Sequence, residues 1–190
     1  MAIVLKNLAT KGLSGMLGDT LVFRNIGGRT IVASAPTTTS NHEPTEGQKA
    51  HQKLFQKAVL YAKSQMGDPA TKAAYEAKAQ GSEKLSAYNI AVADFFNAPD
   101  IEEIDMSGYT GAVGDKIRVS AIDDFMVAEV GVEIYNSDGS LVESGKAVQD
   151  SNAVDWVYTA TAANGDLSGD KVVIKASDIP GNISEKEEVL

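Results

Sequence analysis

Asp123-Asp124 and Asp178, the last followed four residues later by Asn182, are the side chains in this sequence best placed to do chemistry. Each acidic site closes an alternating run, SAIDD or IKASD, so all would gather at the ends of β-strands. Converging carboxylates and a side-chain amide are what a hard cation such as calcium takes, with about six to eight oxygen ligands around it. The competing role is local. An aspartate opening Asp178-Ile-Pro-Gly-Asn182 accepts the backbone N–H groups of its own turn. From the residues alone the loop-tying role is favoured, and no metal ligand is assigned.

Other chemistries fall away one by one. His42 and His51 are too far apart in sequence to form the i, i+4 pair of a helical metal site, and both read as solvated. The acidic pairs Glu102-Glu103 and Glu187-Glu188 are adjacent, so on a strand they point to opposite faces. Cysteine is absent, which removes thiol nucleophiles and thiolate metal sites together. No G-x-S-x-G elbow occurs. Gly12, Gly15 and Gly18 form a GxxGxxG run, but a phosphate loop needs a strand before it and a helix after it, and here a strand follows. Neither catalytic nor cofactor-binding residues are expected, so the sequence reads as non-enzymatic.

The net charge of −9 is unevenly spread. Residues 1–66 carry eight basic and three acidic side chains, whereas residues 99–190 carry six basic and nineteen acidic ones. Such asymmetry suggests different neighbours for the two halves. The basic half has neither a recognised motif nor interleaved stacking aromatics, so a nucleic-acid partner is not expected. The apolar run before Lys6 is too short for a signal sequence, and no segment approaches the ~20 apolar residues of a membrane span. The expectation is a protein that remains where it is made or leaves without a standard signal, with no membrane partner.

Three blocks of periodicity would position these residues. Asp19–Asn25 and Arg29–Ser34 are β-branched and aromatic, and Gly27-Gly28 between them suits a hairpin turn. Leu21 and Phe23 share one hairpin face while Val22 takes the other, and Ile31 and Val32 split in the same way. Apolar groups on both faces mark Leu21, Val22, Phe23, Ile31 and Val32 as the candidate assembly interface. A polar linker, 35–44, precedes three helices. Thr45 and Gln48 form a capping box, Gly67 ends the first helix, and Asp68-Pro69 opens the second as N-cap and N1. The third runs roughly from Ser82 to Phe96, with Phe55, Tyr61, Tyr75, Tyr88, Phe95 and Phe96 as the expected aromatic core.

From Ile101 the period becomes two. Seven strands are predicted: Ile101–Asp105, Lys116–Ile122, Val127–Tyr135, Leu141–Ala147, Asp155–Thr161, Lys171–Ser177 and Ser184–Val189. Turn signals such as NSDG, AANGDLSGD and DIPGN separate them, and Trp156 reads as a core anchor. The predicted fold is α+β: an N-terminal hairpin and short helical segment over residues 1–98, then an antiparallel sandwich over 99–190.

The run GDKIRVSAIDDFMVAEVGVEIYNSDGSLVESGKA, with DWVYTAT and GDKVVIKASDIPGN after it, resembles bacterial immunoglobulin-like modules. Those modules occur in surface adhesins, carbohydrate-active enzymes and phage virion proteins. The N-terminal KGLSGMLGDTLVFRNIGGRTIVASAP resembles an uncharacterised family from Bacteroidetes-type bacteria and their phages, differing at Ala33-Ser34, where a basic residue is expected. In the context these resemblances supply, the two-faced apolar hairpin and the lack of a signal sequence lead to the expectation of a virion structural protein (capsid, connector, ring or tail component) assembled in the bacterial host cytoplasm. Its implied partners are other virion proteins and further copies of itself. A cell-surface or secreted binding module, with glycans as ligand, is the alternative they leave open.

Overall fold

The computed structural model describes residues 12–26, 29–35, 43–80 and 85–190, together with the backbone of Ala2–Val4. Its contacts divide the chain into two compact units, Met1–Gln56 with Ala79–Ser86, and Lys57–Lys78 with Ala87–Leu190. This differs from the 1–98 and 99–190 division expected from sequence. The reason is packing within the second unit, where helical residues share a core with a loop of the sandwich, as described below.

In the first unit the expected hairpin is part of a larger sheet. Strands β1 (Ala2–Val4), β2 (Gly15–Leu17), β3 (Leu21–Ile26) and β4 (Arg29–Ser34) form a four-stranded antiparallel sheet in the order β1-β4-β3-β2. The register pairs Leu21 with Ser34, Phe23 with Val32 and Arg24 with Ile31, while Leu17 faces Leu21 and Met16 faces Val22. Gly15 therefore lies within β2, and Gly18, at φ 56°, follows it into the turn to β3. The glycine run builds a β-turn, not a phosphate loop. The Gly27-Gly28 turn and His42 lie outside the described residues.

Helix α1 spans Glu46–Gly67, α2 Pro69–Ala79 and α3 Ala87–Asp94. The capping box is reciprocal: the Thr45 N–H donates to Gln48 Oε1 at 2.9 Å and the Gln48 N–H to Thr45 Oγ1 at 3.3 Å. Asp68 caps α2 by accepting the N–H groups of Ala70 and Thr71 at 2.8 and 3.1 Å. Together such caps satisfy donors that a helix start leaves open. In the second unit Ala62, Tyr75 and Ala91 form a small core, with Met66, Tyr88, Ile90, Val92 and Phe125 packed against it. Tyr75 is fully buried and stacks on Phe125, with ring centroids 3.9 Å apart. Tyr61 lies 5.6 Å from Phe95, which meets Phe96 edge-on at 5.9 Å. Phe55, expected in this aromatic core, is instead 49% exposed. Periodicity marks the face of a helix but not how far along it the cover extends.

The sandwich follows. Sheet one has the order β5 (Asp100–Asp105), β6 (Lys116–Ile122), β10 (Asp155–Thr159), β9 (Val148–Gln149). Sheet two has the order β12 (Ile183–Val189), β11 (Lys171–Asp178), β7 (Val127–Tyr135), β8 (Leu141–Lys146). All pairings are antiparallel. Ile117, Val119 and Ala121 face Val130, Val132 and Ile134 in one core that also holds Trp156, Val172 and Ile174. This is the two-layer burial that alternating strands favour. At one seam between the sheets, the Lys186 ammonium donates to the carbonyls of Ile101 and Glu102 at 3.2 and 2.9 Å, beside a bulge in β5. Among the described residues no helix is long and apolar enough to cross a membrane.

Candidate functional site

Two places hold candidate functional side chains, one in each unit. The first is the N-terminal sheet. Of the five residues expected to form an assembly interface, Leu21 is exposed and Val22, Phe23, Ile31 and Val32 are half-buried. Leu13, Met16, Leu17 and Ile26 are exposed as well. Thr30 is the one fully buried side chain among the described residues of the sheet. Its hydroxyl donates to Asn25 Oδ1 at 2.9 Å and accepts the Gly12 N–H at 3.2 Å. Phe23 and Val32, paired across β3 and β4, share a face with Leu17 and Leu21, while Met16, Val22, Ala33 and Ile31 lie on the other. Both faces are thus apolar, as the alternation predicts.

The second place is an acidic cluster in the other unit. Asp94, Asp123 and Asp178 each offer a carboxylate oxygen, and these lie within 4.8 Å of one another. Three elements bring them together. Asp94 ends α3, Asp123 begins the loop between β6 and β7, and Asp178 ends β11.

Asp178 does what the sequence suggested. Its Oδ1 accepts the N–H groups of Gly181 at 2.8 Å and Asn182 at 2.6 Å, and its Oδ2 accepts the Asn182 side-chain amide at 2.7 Å. Asp123 ties its own loop in the same way, with Oδ2 accepting the N–H groups of Phe125 and Met126 at 3.2 and 2.9 Å. Asp124, grouped with these residues in the sequence reading, turns aside and accepts the Asn97 side-chain amide. Asp123 and Asp124 line an open cleft of about 550 Å³ with Phe96, Asn97, Asp100 and Ile122. His51 lies on α1, within the first unit.

Asp94 is the member that sequence reasoning missed. It is 1% exposed, and its Oδ2 accepts the Tyr75 hydroxyl at 2.5 Å. Tyr75 spends its single proton there, so in the 2.9 Å contact between hydroxyls Tyr61 is the donor. Burial pushes the Asp94 carboxyl up to about 6; Asp123, Asp178 and Asp124 push the same way, and only the Tyr75 hydrogen bond opposes them. Burial likewise raises Tyr61 to about 12 and holds Tyr75 above its ordinary range. A signal for Asp94 was present in the sequence. It is the lone charge of Ala87–Asp94, an acid at a helix C-terminus, where the helix dipole disfavours it.

Comparison with known proteins adds little to this geometry. The sequence matches no protein-family model and no curated protein. The crystal structure of CopC from Methylosinus trichosporium OB3b is similar at 17% identity and a TM-score of 0.36, over 47% of this chain and 87% of that one.

Proposed function

We propose that the protein is a non-enzymatic structural component of a phage virion, docking through its N-terminal half onto neighbouring subunits of the assembly. The observation that carries this reading is the uncovered sheet: apolar side chains on both faces and no fully buried apolar residue among its described positions. An exposed apolar patch of this kind on a folded domain is a contact surface or an aggregation hazard. The short edge strand β2, three residues long, offers backbone groups for strand addition as well. The resemblance of the C-terminal half to bacterial immunoglobulin-like modules, which occur in phage virion proteins as well as in adhesins and carbohydrate-active enzymes, and of the N-terminal half to an uncharacterised family from Bacteroidetes-type bacteria and their phages, is compatible with that setting. A further copy of this chain is the first expected neighbour, and other virion proteins complete the surroundings.

Deletion of residues 1–35 tests the proposal. The shortened protein is expected to remain folded by circular dichroism, to sediment as a monomer, and to be absent from purified particles. Leu17→Glu with Leu21→Glu, which keeps the chain length and alters one sheet face, is expected to act alike. Normal incorporation of either variant would sink the reading. So would a full-length protein that stays monomeric and binds polysaccharide, the behaviour of a surface binding module.

A further inference from the structure

We infer that Asp94, Asp123 and Asp178 form a binding site for a divalent cation, calcium by the chemistry of its donors. The inference is independent of what the N-terminal sheet docks against. Three carboxylates within 4.8 Å form a concentrated negative charge, and among the described residues no lysine or arginine forms an ion pair with any of them. Acid clusters alone are common and prove nothing. This one is distinguished by unused, buried acceptors. Asp94 Oδ1 and Asp123 Oδ1 are both shielded from solvent and neither has a hydrogen-bond partner. A buried carboxylate oxygen without a donor costs stability, and a cation coordinated by these two oxygens would remove that cost.

The remaining oxygens are held as a metal site's supporting groups would hold them. Tyr75 fixes Oδ2 of Asp94, the Phe125 and Met126 amides fix Oδ2 of Asp123, and the Gly181 and Asn182 amides fix Oδ1 of Asp178. Each ligating carboxylate thus has an orienting donor, as second-layer contacts supply in metal centres. A further oxygen cluster adjoins them. The Asn182 amide nitrogen lies 3.3, 3.3 and 3.0 Å from the carbonyls of Asp94, Phe95 and Asn97, and 2.7 Å from Asp178 Oδ2. An amide has two N–H groups for these four acceptors, so the neighbourhood holds more oxygen acceptors than its donors satisfy.

The donor set selects the ion. It is all oxygen, with neither imidazole nor thiolate, which disfavours zinc and copper. Ligands on opposite sides of calcium, at about 2.4 Å each, stand about 4.8 Å apart. Magnesium binds at about 2.0–2.1 Å, demands octahedral regularity and keeps most of its waters, so it suits a buried, irregular carboxylate cage less well. Of the three carboxylates, Asp123 also lines the open cleft described above, the side from which an ion would enter.

The test is a titration of full-length, chelator-treated protein with calcium chloride, followed by thermal unfolding. Binding to the folded state is expected to raise Tm by about 5–10 °C once calcium exceeds its dissociation constant a hundredfold. Terbium is expected to give luminescence sensitised by Tyr75 and to be displaced by calcium. Asp94→Asn and, independently, Asp123→Asn are expected to abolish both responses, whereas Glu102→Gln, on β5, keeps them. No rise in Tm and no terbium signal from the unmutated protein would overturn the site, whether or not the variants fold. A calcium response that persists unchanged in both variants would also overturn it, and an equal response to magnesium would overturn the assignment to calcium.

Discussion

Gly111→Ala is expected to destabilise the protein by about 3–5 kcal/mol, combining the left-handed backbone cost with the loss of a buried hydrogen bond. For a chain of this size that is a fall in Tm of about 6–20 °C. Gly111 has φ +88°, and a Cβ there would stand 2.1 Å from the Asn164 carbonyl oxygen and 3.2 Å from its carbon. Both atoms are backbone, so no rotamer change relieves the overlap. The Asn164 N–H donates to the Gly111 carbonyl at 2.8 Å, and moving the loop breaks that bond. The loop has little freedom to move. Asp115 Oδ2 accepts the Thr110 N–H, the Thr110 hydroxyl and the Ala112 N–H at 2.6, 2.8 and 3.0 Å. Gly114→Ala is the control: φ is +96° there, but nothing lies within 4 Å of the added carbon. It is expected to cost only about 1 kcal/mol, the backbone share. Equal losses in the two variants, measured by urea unfolding, would contradict the close approach at Gly111.

Glu143→Ala is expected to cost a similar amount, about 3–5 kcal/mol, because it removes a buried carboxylate and strands its partners. Glu143, on β8 in sheet two, is 7% exposed. Its Oε2 accepts the Tyr158 hydroxyl at 2.8 Å, the Thr161 N–H and hydroxyl at 2.8 and 2.7 Å, and the Ala162 N–H at 3.1 Å. Tyr158 belongs to β10 of the opposite sheet, so the carboxylate ties the two layers together. Burial alone raises its pKa, but the four donors outweigh burial and hold it below the usual carboxylate range. The folded state therefore binds this proton less readily than the unfolded chain. The resulting stability is fully present above the ordinary carboxylate value and is lost as pH falls through the lowered one. Acid unfolding followed by Trp156 fluorescence is expected to show a shallower stability loss in Glu143→Gln than in the unmutated protein below about pH 4.5. Parallel acid limbs would mean that the carboxylate is not charged in the fold.

Much of the sandwich was legible because its strands are half-buried. Lys116–Ile122 and Val127–Tyr135 agree with β6 and β7 residue for residue, since Ile117, Val119 and Ala121, and Val130, Val132 and Ile134, alternate strictly with more exposed positions. Strand β9, two residues long, has no period to read. Helix starts at Thr45 and Asp68 were legible from caps, which are local. The wider N-terminal sheet was not, because β1 and β2 are three residues each and take their pairing from β4 and β3. The acidic site was half legible. Asp178 ends a strand and Asp123 directly follows one, and the neighbours of those strands in space follow from the fold class. Asp94 comes from a helix, and no pattern within one segment says which helix end meets which loop.

The seam at Lys186 bears on how many copies of such a module can be crowded together. Strand β12 is an outer strand of its sheet, yet it carries Glu185, Lys186, Glu187 and Glu188 in succession, and Lys186 occupies two carbonyls of β5 that an incoming strand would otherwise seek. Charged, already engaged edges of this kind resist runaway strand exchange. Modules concentrated side by side would therefore repel along this border rather than polymerise through it. If Lys186 blocks this edge, Lys186→Thr is expected to show slow, concentration-dependent fibre growth by light scattering, faster than that of the unmutated protein.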